Sequence, residues 1–175
     1  ELTVFNYPEF NPSCDQVTIQ VGTGTSIADI QCPDDMEQGS YCYETSMQGQ
    51  EVSTSGVVTH VLPAGHSSEG NFFLQKPGIY ECGGIFVRDF DIIPEVGDAL
   101  TLTGTVNEYY SFTQIIDVTT ASITSSLNSI TAKTIDTGDL GIDCSLAGEE
   151  LEGVLVRVFN VTVESIDEFG NIQIN

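Results

Sequence analysis

The sequence predicts an all-β protein built around a small barrel, and three observations lead there. From Val52 to Ser125, short runs rich in β-branched and aromatic residues follow one another, each fenced by Gly, Pro, Asn or Asp. That is the pattern of strands in a closed or sandwiched sheet. Helical periodicity is absent from the stretch. Gly56 and Gly104 fall in mid-run, where glycine marks a bulge, a barrel corner or a close backbone approach, and this favours a strongly curved barrel over a flat sandwich.

Taken in order, residues 1–25 form an N-terminal strand segment. Val4 sits in a first candidate strand over residues 2–5, and Val17, Ile19 and Val21 alternate onto one face of a second over 16–21. Such a face needs a sheet to lie against, because an isolated hairpin is not stable in water. Residues 26–126 form the barrel. They open with SIADIQ at 26–31, either a short helix capped by Ser26 or an entry strand. Strands over 52–62, 72–74 and 85–87 make a meander, and 94–98 read as a tight turn. Over 101–108, Leu102, Gly104 and Val106 face one way and Thr101, Thr103 and Thr105 the other, as in a strand with one buried and one wet face. Runs at 113–116 and 121–124 complete the set. Residues 127–175 are a Ser/Thr-rich linker followed by apolar runs at 149–164 and 170–175, which read as a C-terminal β-hairpin.

Charge restricts the partners. Twenty-six acidic residues against four basic ones give a formal net charge of −22, which repels polyanions and leaves only Lys76, Lys133, Arg88 and Arg157 to neutralise phosphates. The charge therefore argues against nucleic acid. No apolar run approaches the roughly 18 residues of a membrane-spanning helix. The chain opens at Glu1, without a charged and apolar leader, so we expect an exported protein, extracellular or at the cell surface, whose signal peptide has been removed.

Cysteine usage agrees with an oxidising compartment. Cys14, Cys32, Cys42, Cys82 and Cys144 contain no Cys-x-x-Cys pair, so disulfides are expected. Cys32 and Cys42 bracket a turn-rich loop that a bridge between them would staple; the odd count leaves one thiol free or bonded to another chain. No cofactor is expected. Oxygen-rich loops can hold Ca²⁺, with Asp89, Asp91 and Asp98 as candidate ligands, although none matches an EF-hand series. His60 and His66 read as ordinary surface residues. No nucleophile elbow and no His-Glu-x-x-His run is present, so no residue is nominated for catalysis and the protein is expected not to be an enzyme.

The ordered pieces SIADIQ (26–31), GQEVSTSGVVT (49–59), NFFLQ (71–75), GIFV (84–87), VGD (96–98), LTGTVNEYY (102–110) and TQI (113–115) resemble the OB-fold accessory domain of secreted bacterial nucleases. The resemblance covers about residues 26–125 and implies an OB-like Greek-key barrel. The later runs resemble the opening hairpin of a second, partial OB-like unit, which the N-terminal strands could complete. That family's catalytic domain has no counterpart here, so its nuclease activity does not transfer. The resemblance also implies a ligand face formed by Phe72, Phe86, Tyr109, Tyr110 and Phe112, where OB folds stack bases or sugars.

Two functions follow as expectations. The first is a non-enzymatic exported structural protein that assembles with copies of itself by strand donation into a filament or surface assembly. Its assembly strands would use Val4, Val17, Ile19, Val21, Val154, Val156, Val158, Ile172 and Ile174. The second is a nucleic-acid- or glycan-binding OB module.

Overall fold

The computed structural model describes residues 24–39, 42–66, 68–88, 91–140, 144–166 and 172–174. Val4, Cys14, Val17, Ile19, Val21 and Asp89 lie outside the described residues. Within them the chain is mostly strand, as expected. The barrel strands are β3 (Glu51–Val61), β4 (Phe72–Gln75), β5 (Gly84–Val87), β6 (Ala99–Glu108) and β7 (Thr113–Ser125). The short pair β1 (Glu37–Gln38) and β2 (Tyr43–Glu44) precedes them. β8 (Lys133–Thr134), β9 (Val156–Arg157), β10 (Val163–Ile166) and β11 (Ile172–Ile174) follow. Two short α-helices, α1 (Ile27–Gln31) and α2 (Leu146–Glu149), and a 3₁₀ turn over Thr137–Leu140 complete the described elements. No described helix is long and apolar enough to cross a membrane.

The barrel closes in the order β3-β4-β5-β7-β6. The fourth strand, β6, returns to lie beside the first, β3, which is the Greek-key arrangement. The fifth strand, β7, then closes the ring, antiparallel to β6 and parallel to β5. This is the small OB-like barrel expected from the sequence.

Alternation decides which side chains fill it. Along β6, Leu100, Leu102, Gly104 and Val106 are buried while the intervening threonines look outward. Val52, Val58, Phe72, Leu74, Ile85, Val87 and Ile115 complete the core. Gly104 behaves as its mid-strand position predicts: an added Cβ would lie 2.6 Å from Ile115 Cγ2, beside an irregularity in the β6–β7 register between Thr103 and Thr105. The expected runs at 113–116 and 121–124 prove to be one strand, kinked where Asp117 takes a positive φ of 49°.

The segment at 26–31 is a helix. Ser26 Oγ accepts a hydrogen bond from the Asp29 amide at 3.0 Å, satisfying one of the free donors of the first turn. Ile27 and Ile30, three residues apart and therefore on one face, are both fully buried in the barrel core. Burial of each stabilises by about 1.5–3 kcal/mol relative to exposure.

Two expectations are corrected. The bridges run Cys32–Cys82 and Cys42–Cys144, not between Cys32 and Cys42. The fold places each of these two residues beside a distant partner, whereas closeness in sequence had favoured the short loop. All four described cysteines are thus paired. The run at 149–164 is also not a continuous strand. Ser145 caps α2 by accepting from the Gly148 amide at 3.0 Å, and a turn through Gly153, with φ 69°, follows.

That turn packs on the barrel. Leu151 and Val154 are buried, the Cys82 amide donates to the Glu150 carbonyl at 2.6 Å, and the Leu155 amide donates to Oε1 of the buried Gln75 at 2.8 Å. Val154 is therefore packed against the barrel and lies outside the strands. Only β10 and β11 make the expected hairpin.

Two stability predictions follow from these contacts. Cys42 and Cys144 are 102 residues apart, so replacing both with Ser is expected to lower urea-unfolding stability by about 4–5 kcal/mol through lost loop constraint. A Cβ at Gly84 would collide with the Gly153 carbonyl, so Gly84→Ala is expected to cost about 1–3 kcal/mol in the same measurement; an unchanged midpoint in either variant contradicts the packing described.

Candidate functional site

Three features stand out: an apolar ribbon, an aromatic row and a buried carboxylate cluster.

The ribbon is the β10–β11 hairpin. Val163 pairs with Ile174, Ser165 with Gln173 and Ile166 with Ile172, and the register shifts between Val163 and Ser165. Ile172 and Ile174, two residues apart on one strand, share a face. The shift takes up the extra residue, Glu164, so Val163 and Ile166 fall opposite those two isoleucines on the same face. Four branched apolar side chains thus line one side of a two-stranded sheet. The other side carries polar pairing, with a 3.1 Å hydrogen bond between Ser165 Oγ and Gln173 Oε1. Val163, Ile166 and Ile172 are 56%, 65% and 58% exposed. Among the other assembly-strand positions, Val156 lies in β9, parallel to β8, and Val158 is half-buried just beyond it. Three of the four apolar side chains on this face are thus open to solvent and Ile174 is half-buried, although a two-stranded sheet needs a third strand or a packed face to be stable.

The aromatic row runs over β3, β4, β5 and the β6–β7 turn. His60 and Phe73 have ring centroids 6.5 Å apart, Phe73 and Phe86 5.0 Å, and Phe86 and Phe112 5.4 Å. Tyr109 and Tyr110 stand edge-to-face at 4.8 Å and are exposed. The structure therefore brings Phe86, Phe112, Tyr109 and Tyr110 toward one region, with Phe73 in the place given to Phe72. Phe72 is fully buried in the core, because strand alternation turns it inward when Phe73 turns outward.

Among the loop carboxylates, Asp98 closes a turn. Asp98 Oδ2 accepts from the Glu95 amide at 2.9 Å, closing the turn expected at 94–98. Hydrogen bonds from the Ser126 side chain and the Glu95 amide hold its carboxyl below the usual range. Asp91 is exposed. Among the described residues no group of three or more His, Cys, Asp or Glu side chains has the geometry to hold a metal ion.

The cluster was not visible in the sequence. Glu108 at the end of β6, Glu149 in α2 and Glu152 in the turn after it converge where the C-terminal segment packs on the barrel. Glu152 Oε1 accepts from the Thr113 amide at 2.9 Å and from Gln31 Nε2 at 3.3 Å. Glu108 Oε1 accepts from Thr113 Oγ1 at 2.6 Å and the Thr45 amide at 2.9 Å. Burial, reinforced by the charge of Glu108, pushes Glu149 up to about 7; burial, reinforced by Glu149 and Glu108, pushes Glu152 to about 8. Burial also raises Glu108, with the charge of Glu44 adding to it.

No protein-family model matches the chain, and no curated protein is similar to it in sequence. The five-stranded barrel is compatible with an OB-like fold, and what this particular barrel does must be argued from its own surfaces.

A pH dependence follows from the cluster. An acid whose pKa rises on folding holds more protons in the folded state than in the unfolded one. Its stabilisation is full below the ordinary value of 4.5 and is lost as pH climbs to about 7 and about 8. Chemical denaturation at pH 4.5 and pH 8.5 is expected to show stability falling by on the order of 2–4 kcal/mol. Glu149→Gln with Glu152→Gln is expected to flatten the profile, and an equally steep profile in that variant contradicts the assignment.

Proposed function

We propose that the protein is an exported, non-enzymatic structural subunit that assembles with copies of itself, a strand of one copy completing the β10–β11 ribbon of the next. The observation that supports this reading is the ribbon's apolar face, on which Val163, Ile166 and Ile172 are exposed and Ile174 is half-buried. A donor is present in the sequence: residues 16–21 place Val17, Ile19 and Val21 at alternate positions, the spacing that lets an extended strand lay three apolar side chains on such a sheet. Donation from one copy to the next is a head-to-tail contact, and a contact of that kind that does not close builds a filament. Two disulfides, at Cys32–Cys82 and Cys42–Cys144, fit an oxidising environment outside the cell.

Charge shapes how assembly must proceed. At −22 per chain the copies repel one another through the whole surface, and salt screens that repulsion. Contact is therefore favoured through uncharged patches such as the ribbon's apolar side.

A second reading rests on the aromatic row from His60 to Phe112 and the exposed Tyr109–Tyr110 pair. It makes the barrel a binding module related to the accessory domain of secreted nucleases, and the acidic surface then favours a neutral glycan over a nucleic acid.

Negative-stain electron microscopy of the purified full chain is expected to show filaments or extended oligomers at about 0.15 M salt and fewer near 0.01 M. Ile166→Lys is expected to abolish them while leaving barrel stability within about 0.5 kcal/mol, because the side chain is exposed. Monodisperse monomers at every salt concentration contradict assembly, and filaments that survive the substitution contradict the ribbon as the contact.

A further inference from the structure

We propose that Glu108, Glu149 and Glu152 form a proton-operated latch that holds residues 146–157 on the end of the barrel when the cluster carries protons and frees them when it is ionised. The latch does not depend on the assembly reading.

The geometry supports it in two ways, and the electrostatics in a third. First, the segment is fastened at the cluster. Gln31 Nε2 donates to both the Glu152 backbone carbonyl and its Oε1, each at 3.3 Å, and the Thr113 amide donates to the same Oε1. Glu152 thereby ties the C-terminal turn to α1 and to β7 at once. Second, the site is short of hydrogens. Gln31 is 2% exposed, yet its Oε1 has no hydrogen-bond partner, and neither has the buried Glu108 Oε2. Both atoms are acceptors while every carboxyl is ionised, so nothing present satisfies them; a protonated carboxylic acid supplies an O–H donor. Third, the charges that act on these carboxyls are all negative. Glu44 on β2 acts on Glu108, Glu108 acts on both others, and Glu149 acts on Glu152. The neighbours from the remaining elements, Gln31 on α1, Thr113 on β7 and Thr45 after β2, are uncharged. The hydrogen bonds from Thr113 and Gln31 favour the ionised form of Glu152, but burial and the neighbouring carboxylates outweigh them, and Glu149 and Glu152 both hold their protons more tightly than an ordinary glutamate.

Release is confined by covalent bonds. Cys144, just before α2, is bridged to Cys42, and Cys32, at the end of α1, is bridged to Cys82. The start of the segment and α1 therefore stay attached when the carboxyls ionise. What loosens is the stretch from α2 through β9, and with it the tether of the β10–β11 ribbon.

Hydrogen–deuterium exchange of the full, disulfide-intact chain tests this, with rates corrected for intrinsic pH dependence. From pH 5.5 to pH 8.5 the protection of peptides spanning residues 146–157 is expected to fall by about tenfold or more, while peptides from β3 and β6 keep theirs. Glu149→Gln with Glu152→Gln is expected to hold the segment's protection constant across that range. Carboxyl ¹³C titration of the wild-type chain gives an independent readout, with Glu149 and Glu152 expected to titrate well above the ordinary glutamate range. The latch is overturned if segment protection is the same at both pH values, if protection falls as steeply in the Gln variant, if loss is uniform over the barrel, or if both glutamates titrate near 4.5.

Discussion

Closure of the barrel is the constraint on which the rest of the molecule depends. A sheet that wraps onto itself pairs its own edges, and the strand order β3-β4-β5-β7-β6 does this by bringing β7 parallel to β5. The curvature this demands fixes what the sequence can place inside. Gly104 lets β7 approach β6, Ile27 and Ile30 add to the interior, and alternation sends Leu100, Leu102 and Val106 inward. Having closed, the barrel has no open sheet to lend to the last strands of the chain. The β10–β11 ribbon is what closure leaves over.

Between barrel and ribbon lies a seam of polar contacts. Gln75 receives the Leu155 amide, Gln31 reaches Glu152, and Cys82 donates to the Glu150 carbonyl. Buried amides of this kind stabilise only when each partner is satisfied. They bind residues 149–155 to the barrel and so mark where the packed part of the molecule ends. Beyond that seam, β9 pairs with β8. The same seam gathers carboxyls from two sequence regions about forty residues apart, and for that reason it responds to protons.

Much of the barrel was legible in the sequence because its strands follow rules that act over a few residues. Thr101 to Val106 alternates, Pro94 and Gly97 punctuate a turn, and Ser26 caps a helix three residues before Asp29. The disulfide pairing was not legible, since Cys32 meets Cys82 only once α1 and β5 are both in place. Leu151, Val154 and Leu155 looked like strand residues; Ser145 and Gly153 turned them into a capped helix and a tight turn. Phe72 and Phe73 are adjacent, and only the register of β4 decides which enters the core. The carboxylate cluster was hidden among 26 acidic residues, because nothing local separates Glu152 from a solvated glutamate. The ribbon's apolar face was half legible: Ile172 and Ile174 share a parity, but Val163 and Ile166 do not, and the shift beside Glu164 is what aligns them.

The account turns on whether a neighbouring copy, and not the same copy, supplies the strand that covers that face. Cysteines introduced at Ile19 and Ile172 in a Cys14→Ser chain, oxidised in a mixture of unlabelled and ¹⁵N-labelled protein, read this directly by mass spectrometry of the cross-linked peptides. Peptide pairs that join an unlabelled strand to a labelled one are the predicted result. Cross-links found only within chains of one label would show that each molecule seals its own ribbon, and would contradict assembly by strand donation.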